Sequence, residues 1–399
     1  PLPDADGLVN CNWVRSYTLT THDAESGDDW VSGVYLAKLT TSDSGKQSYI
    51  IFVVRDDARP ADLVFQLPVT TYQAYNFWGG KSAYDSRTGP ELPWGSTRGR
   101  RARKVSFNRP YGGSTNSAAA YGVGAGEFLT NVSVVARVYP ISSAGWDYNM
   151  LRWLEREGYD VAYISSLDTH RSASLFHKYK AFLSVGHDEY WSWSMRENIE
   201  TNRDRGLHLG FFSANSVYWQ VRFEPDPIYG HENRVMIVYK NASEDPFAND
   251  RDMRNDKFVT VRWRDAPVHK PEEALIGVQY KVSSFVDDDI VVTDTTHPYF
   301  ANTGLANGDR LPGLLGYEID GRSGDGPSNT VTLATSPVGD GNTSHMTVYT
   351  AASGAKVFAT GSMQWSWGLD DFGSPSLRHS RWSPAAQKIT RNVLADFSR

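Results

Sequence analysis

A short apolar run at residues 181–185 (AFLSV), near the middle of the chain, predicts a buried strand. Gly186 ends the run, and the polarity of residues 192–202 indicates an exposed helix. Three ionisable residues, at 187–189 (HDE), therefore share one strand-to-helix turn. In a parallel sheet such a turn lies at the carboxyl edge, where ligands bind, and the helix amino end favours negative charge. We expect a carboxylate there to stay ionised, as a metal ligand must.

The same turn also has a purely structural interpretation. Asp188 or Ser192 could cap the helix, and His187 could be a buried polar group whose hydrogen bonds are satisfied. For one histidine alone, this structural interpretation is favoured. Three ionisable groups clustered at one sheet edge favour a functional site instead.

The pattern before this turn is mainly β. Residues 1–55 contain runs that alternate or are continuously apolar (TLTT, WVSGVYLAKL, SYIIFVVRDD), with turn clusters between them. Residues 62–68 (DLVFQLP) predict another strand, which leads directly into TTYQAYNFWGGKSAYD. This segment places aromatic hydroxyls just beyond a strand end, and Gly79 and Gly80 allow a tight backbone path.

Helix and strand patterns alternate from residue 146 onward. A helix that ends at Gly158 is followed by YDVAYI as a strand, SLFHKY as a helix and AFLSV as a strand. The helix near Ser192 then precedes LHLGFFSAN as a strand. After residue 215 the pattern is β again, with FVTVRW and ALIGVQYKV among the predicted strands, until residues 383–397 predict a closing helix.

Repeated strand-helix-strand units imply right-handed crossovers and a parallel sheet. We therefore predict an α/β fold, a mostly parallel sheet flanked by helices that resembles a glutamine-amidotransferase core, with β-rich N-terminal and C-terminal elaborations. The predicted organisation is a β-rich segment at 1–60, an α/β core that carries the metal site at 61–245, and a β-rich segment with the closing helix at 246–399. We expect them to pack as one compact domain.

Composition narrows the classes of partner. The 399-residue chain is 40% hydrophobic, enough for a large core in one elaborated domain or two packed domains. Its net charge of -6, from 40 basic and 46 acidic residues, gives no electrostatic case for nucleic acid or an anionic membrane. The single cysteine, Cys11, excludes an internal disulfide framework and a multi-cysteine metal site.

Targeting signals are absent from the sequence as it stands. No apolar run approaches the length of a membrane span, and the first residues, PLPDADGLVN, lack a secretory pattern. We expect a soluble protein and favour the cytoplasm. Secretion stays open because the sequence does not begin with Met.

A long loop is predicted at residues 86–126, which are rich in Gly, Ser, Pro and Arg. Its basic run RGRRARK, at 98–104, could bind phosphate. In an acidic chain, a solvated loop or a subunit contact is favoured, and we assign the run no role in the site.

Four sheet-edge segments, TYQAYN, FNRPY, GHDEYW and FFSANSVYW, converge if the strands pair as predicted. Their polar residues are Tyr72, Tyr75, Asn76, Tyr111, His187, Asp188, Glu189, Asn215 and Tyr218. A usual zinc site needs several His or Cys ligands, whereas phenolates with a carboxylate suit a hard ion such as ferric iron. Coordination would lower the pKa of a tyrosine from its ordinary value of about 10. Taken singly, each of these residues is more often structural.

Several segments of the sequence also resemble a known protein family. The segments SGVYLAKL, TYQAYNFWGGKSAYD, KVSFNRPY, LRWLEREGYDVAYISSLD, AFLSVGHDEYWS, FFSANSVYWQVRFEP and GSMQWSWGLDDF resemble the C-terminal catalytic domain of the large (β) subunit of N,N-dimethylformamidase. The similarity runs in order from about residue 30 to the C-terminus. It implies an iron amidohydrolase that cleaves N,N-dimethylformamide to formate and dimethylamine. It also implies a mononuclear ferric ion, held by two tyrosines and one glutamate.

The resemblance assigns the iron ligands to Tyr75 in TYQAYN, Tyr111 in FNRPY and Glu189 in GHDEYW. Tyr72 is a weaker ligand candidate. The site residues that the resemblance adds around the ligands are His187, Asn215, Lys240 in IVYK and Glu318 in LLGYEID.

The hypothetical mechanism follows from this set. The ion would act as a Lewis acid and lower the pKa of a bound water. His187 could pass a proton to the departing amine, while Asn215 or Lys240 could stabilise the developing oxyanion. Trp78, Trp191 and Trp219 could form a small apolar pocket for N-alkyl groups, or belong to the core. We expect the reaction class to carry over, with the substrate left open.

The family enzyme joins a large subunit that has an additional amino-terminal domain to a separate small subunit, and this sequence contains neither. The expected partners are a small amide substrate and either a small subunit or a homo-oligomer, with no nucleic acid and no membrane. The alternative function is a noncatalytic relative that binds a ligand in an aromatic cleft. A thiol hydrolase is disfavoured because Cys11 lies far from any strand-to-helix turn, and a scaffold role stays open.

Overall fold

The structure is a computed structural model that describes residues 1–22, 25, 27, 29–84, 91–92, 95–96, 99–112, 124–129, 145–281, 285–376 and 378–399. Strands and helices are numbered in chain order. The strands are β1 Gly33–Thr40, β2 Gln47–Val54, β3 Ala61–Leu67, β4 Glu91–Leu92, β5 Gly95–Ser96, β6 Lys104–Ser106, β7 Val161–Ser165, β8 Tyr179–Gly186, β9 Tyr190–Ser192, β10 His208–Ser213, β11 Trp219–Glu224, β12 Val235–Ile237, β13 Gln279–Tyr280, β14 Val286–Val291, β15 Arg310–Tyr317, β16 Asp320–Gly321, β17 Val331–Pro337, β18 Thr343–Thr350 and β19 Lys356–Ala359. The helices are α1 Val69–Tyr75, α2 Trp146–Glu157, α3 Ser166–Arg171, α4 Trp193–Arg203, α5 Pro246–Asn249, α6 Glu273–Ile276 and α7 Pro384–Phe397.

The largest sheet has seven strands in the order β17-β18-β19-β10-β8-β3-β7 and is mixed. The strands from β19 to β7 pair in parallel, and β18 and β17 are added antiparallel at one edge. A four-stranded sheet, β6-β12-β11-β9, is also mixed, because β9 and β11 are parallel. The other sheets of the described residues are two-stranded antiparallel pairs.

The predicted α/β fold class, with its mostly parallel sheet flanked by helices and a glutamine-amidotransferase-like core, is wrong. The structure is only 23% helical, and its sheets are mostly small and either antiparallel or mixed. The largest sheet of the described residues is mixed rather than parallel throughout, and the fold is predominantly β. The prediction failed because the alternating pattern covers a limited stretch, while β17 and β18 come from late in the chain and complete the largest sheet antiparallel.

Individual elements were predicted more accurately than the fold class. The strand over 181–185 lies within β8, and the helix over 192–202 is α4, whose first turn is capped by the Ser192 side chain accepting from the Met195 N–H. The closing helix is α7. FVTVRW, at 258–263, forms an isolated bridge rather than the predicted strand. About half of the predicted loop at 86–126 lies outside the described residues, and the described part contains the short strands β4, β5 and β6. The division at residues 60 and 245 stays a prediction.

The core occupies both faces of the seven-stranded sheet. Along β8, Leu183 and Val185 join one apolar cluster, to which α2 and α7 contribute, while Phe182 joins a second cluster that includes part of α4. Successive side chains of a strand point to opposite faces, so a central strand buried on both faces reads as a continuous apolar run. This explains why AFLSV is apolar on both faces, with Ser184 as its one polar residue.

The end of β8 brings the core and the HDE turn together. Gly186 has a φ of 61°, and a Cβ at this position would lie 2.6 Å from the Cβ of Trp146. Glycine is therefore required both by the left-handed backbone and by the close approach of α2. In the parallel register, Gly186 pairs with Ser213 at the end of β10, so the turns that follow β8 and β10 lie side by side.

No helix in the described ranges is long and apolar enough to cross a membrane.

Packing of α7 should contribute strongly to stability. Leu394 is fully buried in the cluster on one face of the large sheet, whereas Ala395 is exposed on the same helix. We expect Leu394→Ala to lower the free energy of unfolding by about 3 kcal/mol, because it leaves a cavity in the core. Ala395→Ser, the control, should change it by less than about 0.5 kcal/mol. Urea denaturation of both variants would measure this, and equal effects would contradict the packing of α7.

Candidate active site

Helix α1 delivers a tyrosine to the turn that follows β8. It begins after Pro68 and ends at Tyr75, since Asn76 has an extended conformation. The Tyr75 hydroxyl donates to Glu189 Oε2 at 2.7 Å. Tyr72, one turn earlier, donates instead to Asp147 Oδ2 at 2.7 Å and is fully buried. The short helix therefore directs Tyr75, and not Tyr72, towards Glu189.

A buried guanidinium holds the end of α1. Arg109 Nε donates to Gln73 Oε1 at 3.1 Å, and its Nη2 donates to the Gln73 and Asn76 carbonyls at 3.3 and 2.8 Å. Its Nη1 donates to the carbonyls of Trp78 and Lys81 at 3.1 and 2.8 Å. Burial lowers the pKa of Arg109 to about 10, so the side chain stays charged at neutral pH. It satisfies carbonyls that a helix end leaves without partners, and it fixes the turn that follows.

Backbone hydrogen bonds fix the position of Glu189. Its N–H donates to Thr71 Oγ1 at 3.0 Å, which ties the turn to α1. Its carbonyl accepts from the N–H groups of Tyr218 and Trp219 at 2.9 and 3.0 Å, which ties it to the turn after β10. The side chain is only 1% exposed. The carboxylate is thus held by two neighbouring segments as well as by its own strand end.

The neighbouring Asp188 is part of the interior. Its Oδ2 accepts from Gln66 Nε2 at 2.6 Å and from Ser184 Oγ at 3.0 Å. Burial raises the pKa of Asp188 to about 6. Asp188 therefore fastens the turn to β3 and β8, and it is not the cap of α4.

Two phenols bind the Glu189 carboxylate, one at each oxygen. Tyr84 donates to Oε1 at 2.6 Å, Tyr75 donates to Oε2, and the two hydroxyl oxygens are 3.2 Å apart. Their rings stack with centroids 4.6 Å apart. Tyr84 is 38% exposed, so this cluster of oxygens connects the interior to the surface.

A histidine lies between Glu189 and a second carboxylate. His187 Nε2 is 3.1 Å from Glu189 Oε2 and 3.4 Å from Glu318 Oε2, which are ion-pair distances. Asn215 Nδ2 donates to Glu318 Oε2 at 2.8 Å, and the Tyr280 hydroxyl donates to Glu318 Oε1 at 3.3 Å. The imidazole of His187 therefore lies within ion-pair distance of both glutamates, and hydrogen bonds from Asn215 and Tyr280 hold Glu318.

A lysine ammonium is enclosed by aromatic rings beside this cluster. Lys240 Nζ lies 3.2 Å from the centroid of the Tyr84 ring, 5.0 Å from that of Tyr190 and 4.9 Å from that of Trp219. The atom is buried and has no hydrogen-bond partner among the described residues. The residue has a φ of 60°, a left-handed conformation that is costly for lysine. Strain of this kind is typical of a functional position.

Tyr111 is adjacent to this cluster and is not in it. Its ring makes an edge contact with Tyr72, with centroids 6.4 Å apart, and its hydroxyl has no hydrogen bond to Glu189 among the described residues. Burial raises the pKa of Tyr111, an effect that the charge of Arg109 opposes and that of Glu127 reinforces. The side chain of Glu127 is buried as well.

The charges of these groups are interdependent. Burial alone would lower the pKa of His187, but Glu189 and Glu318 raise it to about 9. Burial alone would raise the pKa of Glu189, but His187 and Lys240 hold it below its ordinary value. Burial, together with the charge of Glu189, raises the pKa of Glu318 and takes that of Glu127 to about 7. The pKa of Glu189 is thus lowered, whereas those of the other two carboxyl groups are raised.

The donor chemistry of the cluster fits a hard cation. Burial, and after it the charge of Glu189, raise the pKa values of Tyr75 and Tyr84 well above 10, so both phenols donate protons to the carboxylate. A cation at these oxygens would displace the protons. Within the described ranges no group of three His, Cys, Asp or Glu residues could hold a metal ion, so phenols would have to contribute ligands.

Most residues predicted for the site lie together. The group connected by the contacts above comprises Tyr75, His187, Glu189, Asn215, Lys240 and Glu318. Tyr111 lies next to it, beside Tyr72. Asn76 supports the backbone, since its Nδ2 donates to the Pro110 carbonyl at 2.9 Å. The roles assigned to these residues stay predictions.

Three site residues were missed. Tyr84 belongs to the same segment as Tyr75, and its polar neighbourhood was the available signal. Glu127 is the single acid in the apolar, glycine-rich stretch GVGAGEFL. Tyr280 lay in a predicted strand, ALIGVQYKV, and nothing in that pattern indicates that its hydroxyl meets Glu318.

Comparison with known families identifies one that matches this chain. A sequence model described as N,N-dimethylformamidase beta subunit-like, C-terminal, matches residues 1–380. The chain belongs to this family. The resemblance seen in the sequence is thereby confirmed, and a dimethylformamidase-like family indicates an amide hydrolase.

A curated relative gives a weaker match of the same kind. The N,N-dimethylformamidase beta subunit of Alcaligenes sp is 33% identical over 85 residues, which are 20% of this chain and 11% of the relative. The match therefore spans about a tenth of that protein. Its name describes one subunit of an enzyme, which is consistent with a partner subunit for members of the family.

Arg109 should be required for the local structure of the site. Lysine cannot reach the five acceptors that the guanidinium binds, so we expect Arg109→Lys to lower the free energy of unfolding by about 3 kcal/mol. Arg103→Lys, at a half-exposed pair with Glu244, is the matched control and should cost less than about 1 kcal/mol. Chemical denaturation measures both, and an equal loss would show that the Arg109 bonds are dispensable.

Proposed function

We propose that the chain is an iron-dependent amidohydrolase of the N,N-dimethylformamidase type, which hydrolyses a small N-alkyl amide to a carboxylate and an amine. One observation carries the proposal. In a member of this family, a buried glutamate has a phenol on each carboxylate oxygen and a histidine shared with a second carboxylate. Oxygen donors, a proton carrier and a titratable acid are the components that metal-assisted hydrolysis requires.

Tyr75, Tyr111 and Glu189 are the proposed ligands of a ferric ion. Tyr75 and Glu189 already share a hydrogen bond. Tyr111 follows Arg109, which is bonded to α1, and its ring contacts Tyr72 of that helix. When bound, the ion would supply a Lewis acid for the amide carbonyl and lower the pKa of a coordinated water. The nearby His187 and Lys240 lower the pKa of Glu189, which keeps this carboxylate ionised and available.

The pair of His187 and Glu318 is suited to moving protons. Glu318, whose pKa is raised by burial, can take a proton from the attacking water. His187, held protonated by two carboxylates, can donate its Nε2 proton to the amine nitrogen as the C–N bond breaks. Asn215 Nδ2 holds Glu318 in place. Lys240 Nζ, whose pKa burial lowers well below its ordinary value, has no hydrogen-bond partner among the described residues and is available as a donor to a developing oxyanion.

The aromatic surroundings limit the substrate to a small amide. Trp191 is fully buried in the core and is not available to a ligand. It therefore does not line a pocket for N-alkyl groups, which was one of the two roles considered for the three tryptophans. Trp219 lies beside Lys240, and both it and Trp78 are half-buried. A compact apolar surface next to charged groups suits short N-alkyl substituents better than long chains.

A noncatalytic binding role is the second candidate. Tyr84, which is stacked on Tyr75 and 38% exposed, adds aromatic surface at the solvent side of the site, where a planar or sugar ligand could pack. A binding protein of this type would hold no iron and release no amine. The first experiment below therefore separates the two candidates.

Replacing Glu189 by glutamine should abolish the site while keeping its shape. We expect Glu189→Gln to lose both bound iron and amide hydrolysis, because the amide cannot supply the negative charge of a ligand. Iron is measured by elemental mass spectrometry and by the visible tyrosinate band, and the amine product by chromatography. Glu244→Gln, at the half-exposed pair with Arg103, is the control that should change neither. Full iron and full turnover in Glu189→Gln would overturn the ligand assignment.

Glu318 should affect turnover without affecting iron. Glu318→Gln keeps the acceptor for Asn215 but loses the titratable oxygen, so we expect kcat to fall by about 100-fold or more with iron content unchanged. Steady-state kinetics with elemental analysis of the same sample measures both quantities. A variant that loses its iron would instead make Glu318 a ligand, and an unchanged kcat would remove it from proton transfer.

A further inference from the structure

Tyr84 contacts both the carboxylate and the ammonium of the site. Its hydroxyl donates to Glu189 Oε1 at 2.6 Å. Its ring face lies 3.2 Å from Lys240 Nζ, closer than the rings of Tyr190 and Trp219. A phenol can serve both groups at once because its hydroxyl and its π face are separate binding surfaces.

The ring of Tyr84 is the nearest of the three aromatic rings around the Lys240 ammonium. This ammonium is buried and has no hydrogen-bond partner among the described residues, although an ammonium carries three donors. A buried charge without hydrogen bonds is costly unless another attraction offsets the loss of water. Burial lowers the pKa of Lys240 well below its ordinary value, and the charge of Glu189 opposes this effect. The negative face of the nearest ring, that of Tyr84, adds a second attraction.

Glu189 depends on the hydroxyl in a similar way. Its Oε2 is close to both Tyr75 and His187, whereas Tyr84 is the donor to its Oε1. Hydrogen bonds to both oxygens of a carboxylate fix the orientation of the carboxylate plane. If one of these bonds is removed, the group can rotate about its terminal torsion. The Tyr84 hydroxyl therefore sets the plane of the Glu189 carboxylate.

We propose that Tyr84 is the positioning residue of the site, which orients the Glu189 carboxylate with its hydroxyl and seats the Lys240 ammonium on its ring. The proposal rests on the proposed function for its catalytic meaning, but its two contacts exist without iron. Since Tyr84 is 38% exposed and Glu189 is 1% exposed, Tyr84 is also the outermost member of the cluster. A substrate that approaches from solvent meets this ring before it meets the carboxylate.

Two variants separate the roles of the ring and the hydroxyl. Tyr84→Phe keeps the ring and removes the hydroxyl, whereas Tyr84→Leu removes both. Tyr229→Phe is the matched control, because Tyr229 is 46% exposed and donates a 2.6 Å hydrogen bond to Asn12, outside the site. Thermal unfolding of all three variants establishes that they are folded before any comparison.

Chemical labelling of lysine in the iron-free protein tests the ring. The protein is treated briefly with an amine-acylating reagent, and modification of Lys240 is followed by peptide mass spectrometry. We expect Lys240 to be labelled at the same rate in the wild type, Tyr84→Phe and Tyr229→Phe. In Tyr84→Leu it should react about tenfold faster, which corresponds to a loss of about 1.4 kcal/mol in protection. An unchanged rate in Tyr84→Leu would overturn the role of the ring.

Iron affinity tests the hydroxyl. Competition with a chelator should show that Tyr84→Phe binds iron about tenfold more weakly than the wild type, the size of loss typical when a hydrogen bond to a metal ligand is removed. The visible tyrosinate band of the remaining complex should shift, while Tyr229→Phe stays unchanged. Wild-type affinity and an unshifted band in Tyr84→Phe would overturn the role of the hydroxyl.

Failure of the proposed function can be distinguished from failure of the role proposed for Tyr84. If the wild type binds no iron and hydrolyses no amide, the proposed function fails. The labelling of Lys240 in iron-free protein still supports or overturns the role of Tyr84 in that case, since it requires neither iron nor turnover.

Discussion

The site depends on one buried cation, the guanidinium of Arg109. It binds acceptors at the end of α1 and along the turn that follows, and it lies two residues before Tyr111 in the chain. Without it, the carbonyls of a short helix would lack partners in the interior, and neither α1 nor the turn would have a fixed path. The phenols that meet Glu189 project from these segments, so the geometry of the carboxylate cluster follows from a cation that does not touch it.

Charge balance explains why so many ionisable groups are tolerated in one buried place. Glu189, Glu318 and Glu127 would repel one another if all three were ionised. His187, whose pKa is raised, compensates part of this charge, whereas burial lowers the pKa of Lys240 well below its ordinary value. The raised pKa values of Glu318 and Glu127 favour protonation, which removes more of the negative charge. The cluster is therefore poised around one fixed negative charge, with protons that can be exchanged at moderate cost.

The sequence was sufficient to predict several local elements and to predict that polar residues from separate segments lie close together. β8, α4 and α7 were predictable because each is specified by its own apolar pattern and its own caps. The fold class was not, because β17 and β18 pair with strands far away in the chain. The contacts of Tyr84, Glu127 and Tyr280 were also hidden, since they arise from the approach of separate segments and leave no period in the sequence.

The residues of the site differ in solvent exposure, and this difference affects how freely each part of the site can change in sequence. Glu189, His187 and Asn215 are buried among backbone and charged partners, where a substitution costs stability as well as chemistry. Tyr84 is 38% exposed, so its solvent side can meet different neighbours while its hydroxyl and ring keep their contacts with Glu189 and Lys240. The outer surface of the site can thus vary between related proteins while the buried floor stays the same.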